Sequence, residues 1–242
     1  MPLREPNRRT MIRLCTAVGV GMCGCDSPSE IRTPQAVWGR QGVAPGELQK
    51  PRAIAVNEED EVFLVDMLAR IQVFSADGEY LRGWTTPEST NGRPCGLTFA
   101  RDGHLLVADT HYFRVLVYDA DGKLLEDRTI GGEAGRGPGE FGFVTDAVED
   151  SQGNVYVGEY GDNDRIQKFS PQGDFLLQWG SHGDQPGQFR RPQNLAVDDQ
   201  DRIWAVDACN HRIQIFDCRG ELLELWGEEG SGPGELYYPY DL

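Results

Sequence analysis

The chain is expected to be an all-β protein built from a repeated four-stranded unit, and three observations lead there. Its 242 residues include 30 Gly and 14 Pro beside 39% hydrophobic residues. That mixture suits many short strands separated by turns, and it is too apolar for a disordered chain. An acidic residue closing a β-rich run recurs as Asp66, Asp109, Glu159 and Asp207, a period of 43 to 50 residues. Finally, turn dipeptides with glycine in second place punctuate the runs: Asp77-Gly78, Asp102-Gly103, Asp121-Gly122, Gln152-Gly153, Gln172-Gly173 and Arg219-Gly220. Such pairs supply the positive φ that tight hairpins need.

The first unit reads as runs at 51–56, 61–66, 70–74 and 80–84. The second matches from Pro94, with runs at 105–109 and 114–118. The third supplies 154–159, 165–169 and 175–180, and the fourth 192–197, 202–207, 212–216 and 222–227. Four antiparallel strands per unit at a period in the forties describe a propeller blade. A lone blade cannot bury both faces, so its stability comes from stacking on its neighbours. The expected organisation is a leader over 1–25, a linker over 26–35 and a β-propeller over 36–242. Its blades fall at about 48–84, 92–131, 140–180 and 189–227, with a partial blade at 232–242. Ala36-Val37-Trp38-Gly39 reads as the last strand of a preceding blade, and 232–242 as a connecting loop and the first strand of another blade.

The fourth unit, Asp207-Ala208-Cys209-Asn210-His211-Arg212-Ile213-Gln214-Ile215-Phe216, resembles the NHL-repeat family through its Asn-His-Arg. The loops Gly137-Pro138-Gly139-Glu140-Phe141 and Gly232-Pro233-Gly234-Glu235-Leu236 are also similar to those of that family. Unit two departs by lacking this loop, and unit three by placing Glu159 in a longer one. The resemblance covers about residues 36–242 and implies a ring that usually has six blades. The expectation is therefore an incomplete, truncated six-bladed NHL propeller, since an open ring exposes sheet edges.

Formal net charge is −16, and the first 25 residues carry four Arg and one Glu, so the remainder is more acidic still. Such a surface repels phosphate backbones, and nucleic acid is excluded as a partner. Arg8-Arg9 precede an apolar stretch from Leu14 to Met22 that meets Cys23-Gly24-Cys25. A basic start, a short apolar run and small residues describe an export signal, similar to a twin-arginine signal. Met22-Cys23-Gly24-Cys25 resembles a degenerate lipobox with Cys25 as the lipidation candidate. The expected location is the cell envelope, on the periplasmic side, lipid-anchored or secreted. Cys95, Cys209 and Cys218 show no zinc-site spacing and are expected to be packed thiols.

In an up-and-down blade the Asp-Gly-type turns share one face, and the connecting loops and acid-to-Arg loops share the other. The second face has the longer loops, so binding belongs there. Its binding candidates are His111, Tyr112, Tyr160, Asn210 and His211. The pairs Asp66/Arg70, Asp109/Arg114, Glu159/Arg165 and Asp207/Arg212 recur in every unit and are read as structural loop closures. His111 and His211 lie in equivalent loops, where packing is the simpler role and a metal the sharper one. Tyr112, Phe113, Tyr160 and the Tyr237-Tyr238-Pro239-Tyr240 run serve either inter-blade packing or a ligand platform. Glu47, Glu140 and Glu235 could steer a cation or basic peptide toward this face.

No nucleophile elbow, phosphate-binding glycine loop or His-Glu-x-x-His stretch occurs. The expected function is an exported, membrane-anchored binding or scaffold module for a protein, peptide or small ligand, with no cofactor. The resemblance keeps open an alternative, a metal-dependent lyase or lactonase-like hydrolase using zinc or calcium in the central channel. It also touches ubiquitin ligases and RNA regulators, but the sequence shows neither their RING, B-box or coiled-coil segments nor a basic character.

Overall fold

Eighteen strands and no α-helix occur among the residues described by the computed structural model, 36–161 and 163–242. The leader, with Cys25, lies outside them. A two-residue parallel pair comes first, β1 (Arg40–Gln41) with β2 (Glu47–Leu48). Blade one then holds β3 (Pro51–Val56), β4 (Val62–Asp66), β5 (Arg70–Phe74) and β6 (Tyr80–Thr85). Blade two holds β7 (Gly96–Phe99), β8 (Leu105–Asp109), β9 (Arg114–Tyr118) and β10 (Ile130–Gly131). Blade three holds β11 (Phe143–Glu149), β12 (Val155–Tyr160), β13 (Arg165–Phe169) and β14 (Phe175–Trp179). Blade four holds β15 (Pro192–Val197), β16 (Ile203–Asp207), β17 (Arg212–Phe216) and β18 (Leu222–Trp226). Within each blade the strands pair antiparallel in chain order, and each four-stranded sheet is made of one blade's strands alone.

Alternation along each strand sends side chains to both neighbouring blades, which places the cores between blades. Phe63, Val65, Ile71 and Val73 of blade one meet Leu97, Leu105, Val107, Leu116 and Tyr118 of blade two. The second interface joins Leu106, Ala108, Val115 and Val117 to Val144, Val155, Val157 and Phe169. The third joins Val148, Tyr156 and Ile166 to Leu195, Ile203, Ala205 and Phe216. First strands touch first strands from blade to blade, β3 on β7, β7 on β11 and β11 on β15, so they are the inner edge. The outer strand β14 alternates between half-buried and exposed positions. On the free side of blade one Ile54 and Val56 are 58% and 48% exposed, because no blade covers them.

A tryptophan from one blade's last strand covers the next blade's turn glycine. Trp84 lies over Gly122 and Trp179 over Gly220, and both glycines hold positive φ. Residues 36–39, expected as a strand, form none. Trp38 nevertheless covers Gly78 and stacks on Phe74 at 5.2 Å, the contact a last-strand tryptophan makes elsewhere. Residues 237–242, expected to begin a strand, form none either. There the Tyr238 N–H turns to His211 Nδ1 at 3.0 Å instead of joining a ladder.

The inner strands are also tied by Asp146. Its Oδ2 accepts the Leu195 N–H at 3.1 Å and Asn194 Nδ2 at 2.8 Å from blade four. Its Oδ1 accepts the Ala147 N–H at 2.9 Å and meets Thr98 Oγ1 of blade two at 3.4 Å. Burial pushes this carboxyl up to about 7, against the hydrogen bonds from Leu195 and Ala147. A folded-state value above the unfolded one stabilises below about pH 4 and is lost as pH rises through 7. Relative to Asp146→Asn, the native chain should therefore lose on the order of 1.4 kcal/mol per pH unit between about pH 5 and 7. Urea unfolding of both proteins at several pH values measures this, and a pH-independent gap between them would contradict it.

The turn glycines provide a second check. Gly173 has φ +86° with open space around it, so Gly173→Ala should cost about 1 kcal/mol for the left-handed backbone alone. At Gly220 an added Cβ would sit 2.7 Å from Trp179, so Gly220→Ala should cost about 2–4 kcal/mol. Denaturant midpoints of the two variants compare them directly.

Candidate functional site

The loop-bearing face is assembled from a repeated device. The loops leading into blades one, three and four, and the loop after blade four, close with a parallel bridge, Gln41 to Leu48, Ala134 to Phe141, His182 to Phe189 and Glu229 to Leu236. Inside each loop a side chain accepts a backbone N–H three residues earlier. Glu47 takes it from Ala44, Glu140 from Gly137, Gln188 from Gln185 and Glu235 from Gly232, at 2.7–3.2 Å. Glu47, Glu140 and Glu235 are thus turned into their own loops.

The four acid–arginine pairs are ion pairs in the structure. Arg70 reaches Asp66 at 2.6 Å, Arg114 reaches Asp109 at 2.9 Å, Arg165 reaches Glu159 at 2.6 Å and Arg212 reaches Asp207 at 2.8 Å. In three blades the arginine also grips the inter-blade loop. Arg70 donates to the Glu47 carbonyl, Arg165 to the Glu140 carbonyl and Arg212 to the Gln188 carbonyl, each at 2.9 Å. Two residues on, Gln72, Gln167 and Gln214 donate to the same carbonyls at 2.7–2.8 Å. Their amide oxygens accept the N–H of Gly46, Gly139 and Gly187. The carboxylates take further N–H groups from the loop ends, Gln49 on Asp66, Gly142 on Glu159 and Arg190 on Asp207.

Blade two lacks this staple. Leu116 stands at the glutamine position, and Arg114 turns to Glu88 Oε2 at 2.8 Å. Asp109 Oδ1 is buried with no hydrogen-bond partner. Burial raises the Asp109 carboxyl above its ordinary range, opposed by Arg114.

The five binding candidates fall into three local groups. His111, in a single 3-10 turn over Thr110–Tyr112, packs on Phe143 of blade three at 5.2 Å. Its Nδ1 is buried and unpartnered, and burial, then Arg52 and Arg93, lowers its pKa. Tyr160 packs on the other part of that cluster, 5.3 Å from Phe143, with the Arg191 guanidinium 4.9 Å from its ring centroid. Tyr112 Oη accepts the Asn91 N–H at 3.0 Å, and Arg114 lies 5.2 Å above its ring. Asn210 bridges the Gly183 carbonyl and Asp207 Oδ2, at 2.9 and 2.8 Å. Asn163 does the same in blade three with Gly135 and Glu159. His211 has φ +56° and packs on Tyr237 at 5.3 Å.

Two readings of the sequence need correction. His111 and His211 share equivalent loops but not equivalent positions: the left-handed site that His211 occupies is filled by Phe113 in blade two, and His111 sits two residues earlier. Cys209 and Cys218 flank β17 and are exposed, not packed, whereas Cys95 is half-buried, and burial pushes its thiol up to about 11. Of the tyrosine run, Tyr237 is 74% and Tyr240 53% exposed, so packing does not consume them. Among the described residues no three His, Cys, Asp or Glu side chains converge as a metal-holding group. An open depression of about 410 Å³ beside Trp38, Arg40, Leu48 and Pro51 contains none of the five binding candidates.

Comparison with known proteins rests on the same repeat. The NHL repeat pattern matches residues 189–216, the end of the loop into blade four and that blade's first three strands. The chain carries an NHL repeat. It is 30% identical over 155 residues to NHL repeat-containing protein 3 of Mus musculus, covering 60% of this chain and 44% of that one. It is also 30% identical over 170 residues to peptidylglycine alpha-amidating monooxygenase of Rattus norvegicus, covering 66% and 16%. The Xenopus laevis monooxygenase B is 36% identical over 126 residues, covering 48% and 14%. The NHL chain thus spans less than half the length of these relatives. Among solved structures it is similar to a catalytically inactive virginiamycin B lyase from Staphylococcus aureus with quinupristin. That match has a TM-score of 0.61 at 16% identity and covers 82% of this chain and 61% of the lyase. A streptogramin B lyase gives 0.58 at 15%, covering 76% and 55%. These structural likenesses show the propeller fold.

The glutamines of the NHL staple carry a visible signal, Arg-x-Gln at 70–72, 165–167 and 212–214, whose role needed the loop's position. Replacing Gln167 by Leu strips partners from the Gly139 N–H and from one oxygen of a buried carboxylate. Gln167→Leu should therefore cost about 2–4 kcal/mol. Urea unfolding checks the loss, and an unchanged midpoint would show that the staple contributes nothing.

Proposed function

We propose that this chain is an exported, membrane-anchored binding module whose loop-bearing face receives a protein, peptide or small ligand. The observation that carries this reading is the division of labour on that face. The recurring acid–arginine pairs and glutamines are consumed in holding loops, whereas Tyr237, Tyr240, Met67 and Leu68 remain exposed beside them. Exposed aromatic and sulfur side chains on rigidly held loops suit recognition. Export and anchoring draw on the basic and apolar leader ending at Cys25. No helix of the described residues is long and apolar enough to cross a membrane, so a lipid on Cys25 is the proposed anchor.

A second reading, a metal-dependent lyase or lactonase-like hydrolase with its site in the channel, is supported by the enzymes among the relatives. It requires metal ligands from several blades, and the donor set of the described residues does not offer three of them together. Thermal-shift screening of peptides and metabolites separates the readings. Under the first, stabilising ligands appear without added metal and are lost in Tyr112→Ala or Tyr237→Ala but not in the turn-face variant Gln172→Ala. Hits lost only in the turn-face variant would overturn the binding-face reading, and stoichiometric zinc or calcium with turnover would favour the enzyme.

A further inference from the structure

The chain carries 39 Asp and Glu against 23 Lys and Arg, so an arginine without a carboxylate is unusual in it. Nine arginines of the described residues form ion pairs: 40, 70, 82, 114, 128, 165, 202, 212 and 219. Six described arginines, 52, 93, 101, 136, 190 and 191, form no ion pair, and of these Arg52, Arg93 and Arg191 hydrogen-bond through their side chains to neutral acceptors only. Arg52 Nη1 reaches the Met67 sulfur at 3.3 Å, and Arg93 reaches the Met67 and Gly92 carbonyls at 2.8 Å. Arg191 Nε reaches Gln193 Oε1 at 3.1 Å and lies over the Tyr160 ring.

The fold brings these three side chains toward one place. Arg93 and Arg191 immediately precede Pro94 and Pro192, and Arg52 comes directly after Pro51, so all three stand where inner strands begin on the loop-bearing face. Arg52 and Arg93 share Met67 as a partner, and both depress His111. Arg52 and Arg191, from blades one and four, both act on the Cys95 thiol, which stands just before β7 of blade two. Arg191 adopts φ +61°, and Lys50 adopts φ +51° at the matching position of blade one. A non-glycine residue is held there only when the surrounding structure enforces it. Three carboxylates lie near these strands, and none pairs with the three arginines: Asp241, which acts on Asp146, accepts the Leu242 N–H at 2.9 Å. Asp146 is bonded on both oxygens, and Asp164 accepts the Arg191 N–H and pairs with His182.

We propose that Arg52, Arg93 and Arg191 form an oxyanion-recognition site at the mouth of the inner strands, taking a small ligand that bears a carboxylate or a phosphate. Guanidinium forks match both groups through paired N–H donors. Tyr160 beneath Arg191 and Met67 beneath Arg52 supply apolar support for the rest of such a ligand. Concentrated positive charge on an otherwise acidic protein directs small anions to this one place. The site deepens the binding-module reading and rests on its loop-bearing face.

Isothermal titration of the full chain at low ionic strength, with inorganic phosphate in one arm and citrate in the other, tests the site. At least one anion should bind saturably, and the stronger arm identifies the ligand chemistry. Arg52→Gln, Arg93→Gln and Arg191→Gln should each weaken binding about tenfold. Arg101→Gln, on the turn-bearing face, should leave it unchanged. Bound anion offsets the charges of Arg52 and Arg93, so the His111 ring, tracked by NMR, should titrate at higher pH when saturated. Flat titrations in both arms, equal weakening by Arg101→Gln, or an unmoved His111 would each overturn the proposal. A screening ligand that needs Tyr112 but ignores all three arginine variants would overturn this inference and leave the binding-module reading standing.

Discussion

A buried carboxylate that must be satisfied governs each blade of this propeller. Asp66, Glu159 and Asp207 lie at the end of the second strand, fully shielded from water. An isolated charge there would cost several kcal/mol. The arginine four to six residues on supplies the counter-charge, and backbone N–H groups of the preceding inter-blade loop complete the shell. The glutamine two positions further links carboxylate and loop in blades three and four by donating to both. One constraint thus closes the loop between the second and third strands and clamps the loop that enters from the previous blade. Loops held this way can present side chains without collapsing onto the sheet.

In blade two the constraint is relaxed. Its incoming segment has no Gly-Pro-Gly-Glu turn, Leu116 removes the glutamine, and Asp109 keeps one oxygen without a partner. Arg114 compensates by taking Glu88 from the replacement segment. The same segment delivers Arg93 to Met67 and brackets His111 through Gly92, where an added Cβ would meet the imidazole. The irregular blade therefore supplies the unpaired arginine and the unpartnered imidazole that distinguish this part of the face. Regular repeats provide rigidity, and the departure from them provides chemical individuality.

Stacking between blades completes the account. Each core is shared, so no blade owns a hydrophobic interior, and the tryptophan-over-glycine contact fastens the outer rim at Gly78, Gly122 and Gly220. Blade three departs at this rim too: nothing lies near Gly173, because the short β10 of blade two ends in Ile130–Gly131 without a tryptophan. At the inner edge Asp146 takes over as the tie, reaching from blade three to blades two and four.

The repeat alone determined the blade architecture, because a two-residue alternation in four short runs, with glycine turns at fixed places, has one economical way to bury its apolar side chains. Asp66 with Arg70 and its three counterparts were legible as pairs for the same reason, being local in sequence. What tertiary structure decided is non-local. The role of Gln72, Gln167 and Gln214 depends on a loop 25 to 28 residues away. The offset between His111 and His211 depends on which residue takes the left-handed backbone position, and Cys209 and Cys218 are exposed because they sit in the turns before and after β17 and not on the strand itself. Arg93 and Arg191 each precede a proline and Arg52 follows one, a pattern too short to group them by sequence. Only the convergence of separate strand beginnings brings them to one mouth, since charge acts through space and not along the chain.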